Sequence, residues 1–596
     1  MQTVSIDDFL RQSFDFIIIG GGTAGLAVAS RLAQDGKFTV GVLEAGGVVN
    51  GRDEVKIPGF FGRASGTDID WKFNTTSPGT EGGVKDPWPR GKGLGGSSAI
   101  NYMGWNRAGR VDYDDWVALG NPGWGWDDLQ PFFKKSETFH PPSSSVQDEH
   151  DLRYDISTFG TSGPIHICYA NDYSPSHQLW IKGLNSLGVE TNSAHFAGSN
   201  AGAWTNLSSI DPRTNARSFA TEYCSLAGSN LYILTEALVE DIIVGKVDGE
   251  YAAYGVRFTH NGEEYSIPVS REVILSAGTI KSPQLLELSG IGNPEVLSRA
   301  GIDVKVDSPM VGENLQEHKA FIFVVDVDPE LENPDELILD AKKAAAAHEQ
   351  YTRDKTGPLT NMPGSYGMVP FTKAIQQDAM EKILSQVQGL AELSPEKKDL
   401  LEQRLRNPDK IGFMEYFFKL GAGAFGGADA RHGIIAQILQ QPFAAGSIHI
   451  QPKSAAKNDP VVEIGFYHGP AGEIDLELML QSTRFARSLM LAPPFNNVVR
   501  QPVHPPASAY EDDEQMRQMI KDSTRAALHA IGTCAMGGHA GIRGGVVNER
   551  LQVYGVQRLR VVDASIMPLQ ITAHIQSAVY AIAEKAAHMI LEDVAA

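Results

Sequence analysis

Near the start of the chain three glycines stand as G-x-G-x-x-G, at Gly20, Gly22 and Gly25. Spaced in this way they can cradle a phosphate chain. Gly20 permits a tight turn, Gly22 lets a pyrophosphate approach the backbone, and Gly25 lets a helix pack closely on a strand. Glu44 follows at the spacing, about 20 residues on, where a carboxylate accepts ribose hydroxyls. The chemistry is the binding of a dinucleotide, and the motif does not separate FAD from NAD.

Such a site needs a strand, a helix and a second strand in succession. Residues 14–19 (FDFIII) are a continuous apolar run, as a strand buried on both faces would be. Residues 23–35 read as a helix with Leu26, Ala27, Ala29, Leu32 and Ala33 on one side, and residues 38–44 (FTVGVLE) as the next strand. A right-handed crossover makes the two strands parallel. The phosphates then meet free N–H groups at the positive end of the helix dipole.

Further along, residues 45–165 are rich in Gly, Pro and Trp and predict long loops with short helices. Residues 231–243, 253–258, 271–276 and 557–563 predict strands, and 575–592 a final helix. Residues 336–350 and 376–406 are charged helical patterns within a second-lobe region, 330–412. Residues 413–425 carry five aromatics, which suit a pocket wall and a core-facing strand equally.

At 596 residues the chain is too long for one simple core, so two large lobes are expected. A net charge of −21 argues against nucleic-acid or anionic-membrane partners, which need a basic face. The three cysteines, Cys168, Cys224 and Cys534, form no metal-ligand spacing, so no metal site is expected; Cys168 and Cys224 are left as a possible pair. The N-terminus lacks the pattern of a signal peptide and no run is long enough to cross a membrane, so a cytoplasmic protein is the expectation. Sequons at Asn74 and Asn206 keep secretion open if a leader has been trimmed.

The stretch RGKGLGGSSAINYMGW at 90–105 is so rich in Gly and Ser that its backbone can lie flat against a bulky ligand. Here the chain resembles the glucose–methanol–choline (GMC) oxidoreductases. The resemblance rests on GKGLGGSSAINYMGWNRAGRVDYDD at 91–115 and GTIKSPQLLELSGIG at 278–292, two family signatures. DWKFNT at 70–75, VGENLQEH at 311–318, HAIGTCAMGG at 529–538 and VVDASIMP at 561–568 support it. It implies an α/β fold of two lobes: a Rossmann-like FAD-binding domain built from discontinuous segments, and a substrate domain of antiparallel sheet and helices. Residues 14–320 would hold most of the first, 321–444 the substrate-lobe helices and loops, and 445–590 the substrate sheet and the last FAD-binding segment.

Carried over by position, the resemblance implies FAD contacts at Thr23, Ala24, Glu44, Trp71, Gly91, Leu94 and Gly95. Ser97, Asn101, Met103 and Gly104 would lie along the flavin and ribityl chain, and Val239 against adenine. Asp563 and Ala564 would meet the ribityl–phosphate region, and Ile575 and Gln576 the flavin. In relatives with covalent flavin a His in the Gly-rich segment is the attachment point. Ala99 and Ile100 occupy that neighbourhood here, which implies non-covalent FAD. Two departures stand out: Ala530, where Pro often follows the first active-site His, and Ala444-Ala445-Gly446, where Ser-Arg-Gly is frequent.

His529 and His574 match the family's two active-site residues facing flavin N5. Alcohol oxidation removes a hydride from carbon and a proton from oxygen. The flavin takes the hydride and the protein must supply the base. An imidazole titrates near neutrality and suits that task. His529 is expected to be the base and His574 to orient the hydroxyl, while His318 and His539 are expected to be structural or surface residues. The N-terminus of the last helix can stabilise negative charge on the reduced flavin. The expected activity is FAD-dependent oxidation of a primary alcohol, an aryl alcohol among the candidates, to an aldehyde, with oxygen or a quinone as acceptor. A protonated His beside the flavin leans this towards an oxidase. The alternative is a hydroxynitrile-lyase-like enzyme of the same fold.

Overall fold

The computed structural model describes residues 3–76, 86–171, 173–391, 393–406, 411–423, 427–452 and 459–595. The strand Phe14–Ile19 is buried along nearly all its length because it lies inside a parallel sheet. Val40–Leu43 pairs it on one side and the end of Glu263–Leu275 on the other, both in parallel. Leu231–Leu234 extends the layer beyond Val40–Leu43. Leu559–Val561, from the far end of the chain, pairs Val273–Leu275. The first half of Glu263–Leu275 leaves this layer and joins Glu250–His260 and Ala237–Val247 in an antiparallel meander. Residues 231–243, read as one strand, are therefore parts of two. Glu236, at φ +57°, turns the chain between them.

The helix Thr23–Ala33 lies against the last helix, Gln576–Ala595, which also packs on Trp126–Ser136. A buried carboxylate locks these helices. Glu584 accepts from Arg31 Nη2 at 2.7 Å, Tyr223 Oη at 3.0 Å and Lys135 Nζ at 3.0 Å. A charge so deep is tolerated because it is paired and hydrogen-bonded.

The second lobe is an antiparallel sheet in the order Val499–His504, Lys319–Val327, His432–Leu439, Met414–Leu420, Ser365–Val369, Gly202–Thr205. The helix Gly469–Leu491 covers one face: Gln437 Nε2 donates to Met479 O at 2.8 Å, and Tyr416 Oη to Ser482 O at 2.7 Å. Strand alternation then settles the aromatic run. Tyr416 packs on Phe485 beneath that helix and Phe418 on Phe495, whereas Phe417 faces the opposite way, into a large cavity. Phe413 meets Phe371 in the core, and Phe425 lies outside the described residues. The two readings of this run are thus each right for alternate residues.

The charged helical patterns break where capping chemistry breaks them. Residues 336–350 become Glu336–Leu339 and Ala341–Asp354, with Asp340 accepting from Lys342 N at 2.8 Å as the N-cap of the second. Residues 376–406 become Gln377–Gln388 and Pro395–Arg406, with Gly389 closing the first and Pro395 opening the second. All three cysteines are buried free thiols, so Cys168 and Cys224 are not paired.

Candidate active site

A cavity of about 820 Å³ runs from the glycine turn to the sheet of the second lobe. At its closed end the turn is built as the spacing requires. Gly20, at φ +99°, would place a Cβ 2.6 Å from Ser276 O, and a Cβ on Gly25 would stand 1.9 Å from Gly20 O. Gly22 has nothing nearer than Gly96 Cα at 3.8 Å, so its backbone faces open space. Gly20, Gly22, Thr23 and Ala24 border the cavity, whereas Gly25 supports the turn from behind. The first N–H groups of a helix have no partner within it and are free for an anionic group.

Glu44 also borders the cavity, and it does more than its spacing suggested. Oε2 accepts from Gly21 N at 2.8 Å, and Oε1 from Gly46 N at 2.8 Å and Gly93 N at 3.0 Å. One carboxylate thus ties the glycine turn, the end of the second strand and the Gly-rich segment together. Burial pushes its pKa up, and the three N–H donors and Lys92 pull it back.

Of the Gly-rich segment, Gly91, Ser97, Asn101, Met103 and Gly104 line the cavity. Leu94 and Gly95 do not. Leu94 packs against the glycine turn, and a Cβ on Gly95 would strike Phe219 at 2.5 Å. Trp71 and Val239 both line the wall, and Trp71 is stacked on Phe73 with the Lys281 ammonium 4.8 Å from its ring centre. Asp563, Ala564, Ile575 and Gln576 complete the lining from the C-terminal segments. Asp563 has a second task, since it accepts from Gly278 N at 2.9 Å and Ser282 Oγ at 2.6 Å and so seats the helix Gly278–Leu288.

These residues fit a dinucleotide bearing a flavin. Gln576 receives the Asn101 amide on Oε1, but its buried Nε2 has no partner, a donor aimed at a ligand that takes hydrogen bonds. Position 104 has no room for a side chain either: a Cβ there would lie 2.8 Å from His574 Nδ1. Ala99 and Ile100, both buried, offer no nucleophile to such a ligand.

The two histidines meet at the other end. His529 and His574 have ring centres 4.7 Å apart and both border the cavity. His574 closes the loop before the last helix. Its N–H donates to Asn106 Oδ1 at 3.0 Å, and its Nε2 lies 3.0 Å from Glu415 Oε1. Glu415, fully buried on the sheet of the second lobe, also takes the Gln440 amide at 2.8 Å.

His529 is held differently. Its N–H donates to Glu317 Oε1 at 2.6 Å, and its Nδ1 lies 2.9 Å from Nδ1 of His318. Burial, then the His574 and His318 imidazoles, depress its pKa well below the ordinary 6.5. Burial raises Glu317 to about 7, against the pull of Arg90. His318 is fully buried, structural rather than surface of the two expected standings, and its ring touches His529. His539 is exposed, the surface standing expected of it. VGENLQEH held the signal for His318, because its last residue is a histidine in a matched motif. Nothing in the sequence marked Glu415.

Apart from this centre, His140, His166 and Asp211 bring metal-ligand types together. Their shared space already holds a cation. Arg213 donates to Asp211 at 2.7 Å and lies 2.7 Å from His166 Nε2, and the two imidazoles lie 2.9 Å from each other.

Comparisons with known proteins agree with this geometry. The family model for GMC oxidoreductases matches residues 14–320, and its C-terminal part residues 442–583. Dehydrogenase mpl7 of Monascus purpureus is 33% identical over the whole of this chain and 98% of its own. An FAD-dependent oxidoreductase from Chaetomium thermophilum superposes with a TM-score of 0.87 at 28% identity, over 98% of this chain and all of its own. A fungal aryl-alcohol oxidase does so at 0.86 and 27%, with the same coverage. With the glycine turn, the cavity and the paired histidines in place, the chain belongs to the GMC oxidoreductases, a family of flavoenzymes.

Proposed function

We propose that the chain oxidises an apolar, typically aromatic, primary alcohol to its aldehyde, with FAD held non-covalently. One observation carries the reading: the His529–His574 pair opens onto a wall of Ile322, Val324, Tyr366, Phe417 and Ile438. Tyr366 and Phe417 stack with ring centres 5.6 Å apart and present aromatic surface to whatever lies against the histidines. A sugar placed there would lose hydration from several hydroxyls for few partners in return. An aryl or allylic alcohol needs partners only at its one hydroxyl.

FAD, when bound, supplies the acceptor for the hydride. The rest falls to the chain. His529, neutral at neutral pH because burial depresses its pKa, accepts the hydroxyl proton on the ring nitrogen that faces the cavity. Glu415 accepts from His574 Nε2 and so fixes that ring beside the same hydroxyl. The wall of the second lobe keeps water from the reacting carbon. The proton taken from the alcohol then rests on His529 as a positive charge at that end of the cavity. That charge favours oxygen as acceptor over a quinone.

The test is anaerobic stopped-flow reduction of the FAD-loaded enzyme with benzyl alcohol, an aliphatic primary alcohol and glucose. Fast bleaching by benzyl alcohol and none by glucose is expected, with peroxide formed one for one in air. Reduction by glucose alone would overturn the substrate reading, and turnover with quinones only would overturn the acceptor. A general base contributes about 10²–10⁴-fold, so His529→Ala should slow reduction by that order. A variant within about threefold of the parent sinks the base assignment, and a far worse His574→Ala would exchange the two roles. Acid precipitation should leave FAD in the supernatant; a yellow pellet contradicts non-covalent binding.

A further inference from the structure

We infer that His318 is a positioning residue that sets the tautomer of His529 and so decides which nitrogen takes the substrate's proton. The inference rests on the reading of His529 as the base. It begins from a carbonyl. His318 Nε2 lies 3.0 Å from Ile571 O, and an oxygen of this kind only accepts. His318 Nε2 therefore carries a hydrogen. The ring is fully buried, and burial with the nearby His574 depresses its pKa to about 3, so it holds no second proton. Its Nδ1 is then a bare acceptor. The nitrogen 2.9 Å from it is His529 Nδ1, which must be the donor, while a second carbonyl, Gln440 O, also faces the His318 ring. A neutral His529 with its hydrogen on Nδ1 has its lone pair on Nε2, and that lone pair is the base.

The rings meet edge to face, at 80° with centres 5.0 Å apart, so the Nδ1 atoms point at each other rather than stack. The anchor is well chosen, since Ile571 stands three residues before His574 in the same segment. His318 thus sets the protonation of one active-site histidine from the chain that delivers the other.

During turnover the substrate's O–H and C–H bonds break as its C=O bond forms. FAD, when bound, would accept the hydride, and the proton goes to His529 Nε2. His529 then carries both ring hydrogens, and its Nδ1–H bond to His318 becomes charge-assisted and stronger. His318 cannot pass that proton on, because its other nitrogen already donates to a carbonyl. The proton stays on His529. A carboxylate in the same place would also orient the ring but would raise its pKa, as an opposite charge does. A neutral acceptor sets the tautomer and leaves the base weakly basic.

Two variants test this by flavin reduction across pH in the FAD-loaded enzyme. The other titratable or charged groups facing His529 are His574, Arg90 and Glu317, and those facing His318 are His574 and Lys319; Glu415 stands behind His574. All are unchanged in both variants, so any shift in the profile belongs to position 318. His318→Leu removes the acceptor and leaves a buried N–H unpaired, which should slow reduction about tenfold to a hundredfold with FAD content retained. His318→Asp keeps an acceptor but adds charge, so the pH below which reduction fails should rise by one unit or more. A parental rate and profile in His318→Leu, or an unmoved acid limb in His318→Asp, overturns the inference. If His529→Ala itself reduces at the parental rate, the base reading has failed instead, and the two failures are told apart.

Discussion

Glu44 is the residue whose removal has the most legible cost. Glu44→Gln keeps the shape and removes the charge. With the amide oxygen set between Gly46 N and Gly93 N, the amide nitrogen faces Gly21 N, donor against donor. That lost bond leaves a buried N–H unpaired, at about 1–3 kcal/mol. The two surviving bonds fall from charge-assisted to neutral, about 1 kcal/mol each. The total is about 3–5 kcal/mol, shared between the apoprotein's loops and the cofactor they seat. If most of it falls on the cofactor, the Kd for FAD rises about 10²–10³-fold. Fluorescence titration of apoprotein with FAD reads this directly, and thermal melting of the apoprotein reads the remainder. Reduction of the loaded fraction by benzyl alcohol should stay within about threefold, since Glu44 lies at the phosphate end of the cavity. A Kd within threefold of the parent, with an unchanged melt, would refute the three-way clamp.

Other outcomes follow from the same geometry. Glu415→Gln should slow flavin reduction about tenfold or more by freeing the His574 ring, with FAD affinity unchanged; a parental rate would show that Glu415 does not hold it. Gly104→Ala puts a methyl 2.8 Å from His574 Nδ1, so the rate of reduction should fall while FAD still binds, and a parental rate would place the ring elsewhere. His177, buried between Ser365 Oγ and Thr205 Oγ1 at 2.8 Å each, is depressed to about 3. Its unfolded form binds a proton below 6.5 while the folded form does not, so its stability contribution is lost as pH falls from there. His177→Gln should therefore gain about 2 kcal/mol relative to the parent between pH 6.5 and 5. Denaturation curves that run parallel over that range would contradict it.

What the sequence made legible was local. The glycine turn could be read because Gly20 and Gly25 answer to atoms of adjoining elements, and a Cβ at either place has nowhere to go. Alternation decides Phe417 against Tyr416 and Phe418, yet periodicity alone does not say which face of a strand looks into a cavity. Asp340, a strong N-cap just before its helix, was a readable break in a run taken as continuous. His318 and Glu415 lay beyond such reasoning. Each gains its role from a ring more than 150 positions away in the chain, and no spacing rule spans that distance.

The seating of His574 bears on how a substrate reaches it. Behind it, Thr572 donates to Asp112 Oδ2 and receives the Asn200 amide, and Asp112 Oδ1 takes the Gln441 amide at 2.8 Å. Together with the Glu415 bond, these contacts rivet the cofactor-binding layer to the second sheet on both sides of the His574 ring. To part the two layers would strip buried carboxylates of their partners, at several kcal/mol each time a molecule passed. Traffic must instead run past individual side chains, with the lobes shut throughout the cycle. Selection among substrates then becomes a matter of side-chain rotation along the way in, so bulk is penalised in the speed of arrival and departure even where the pocket would hold it well.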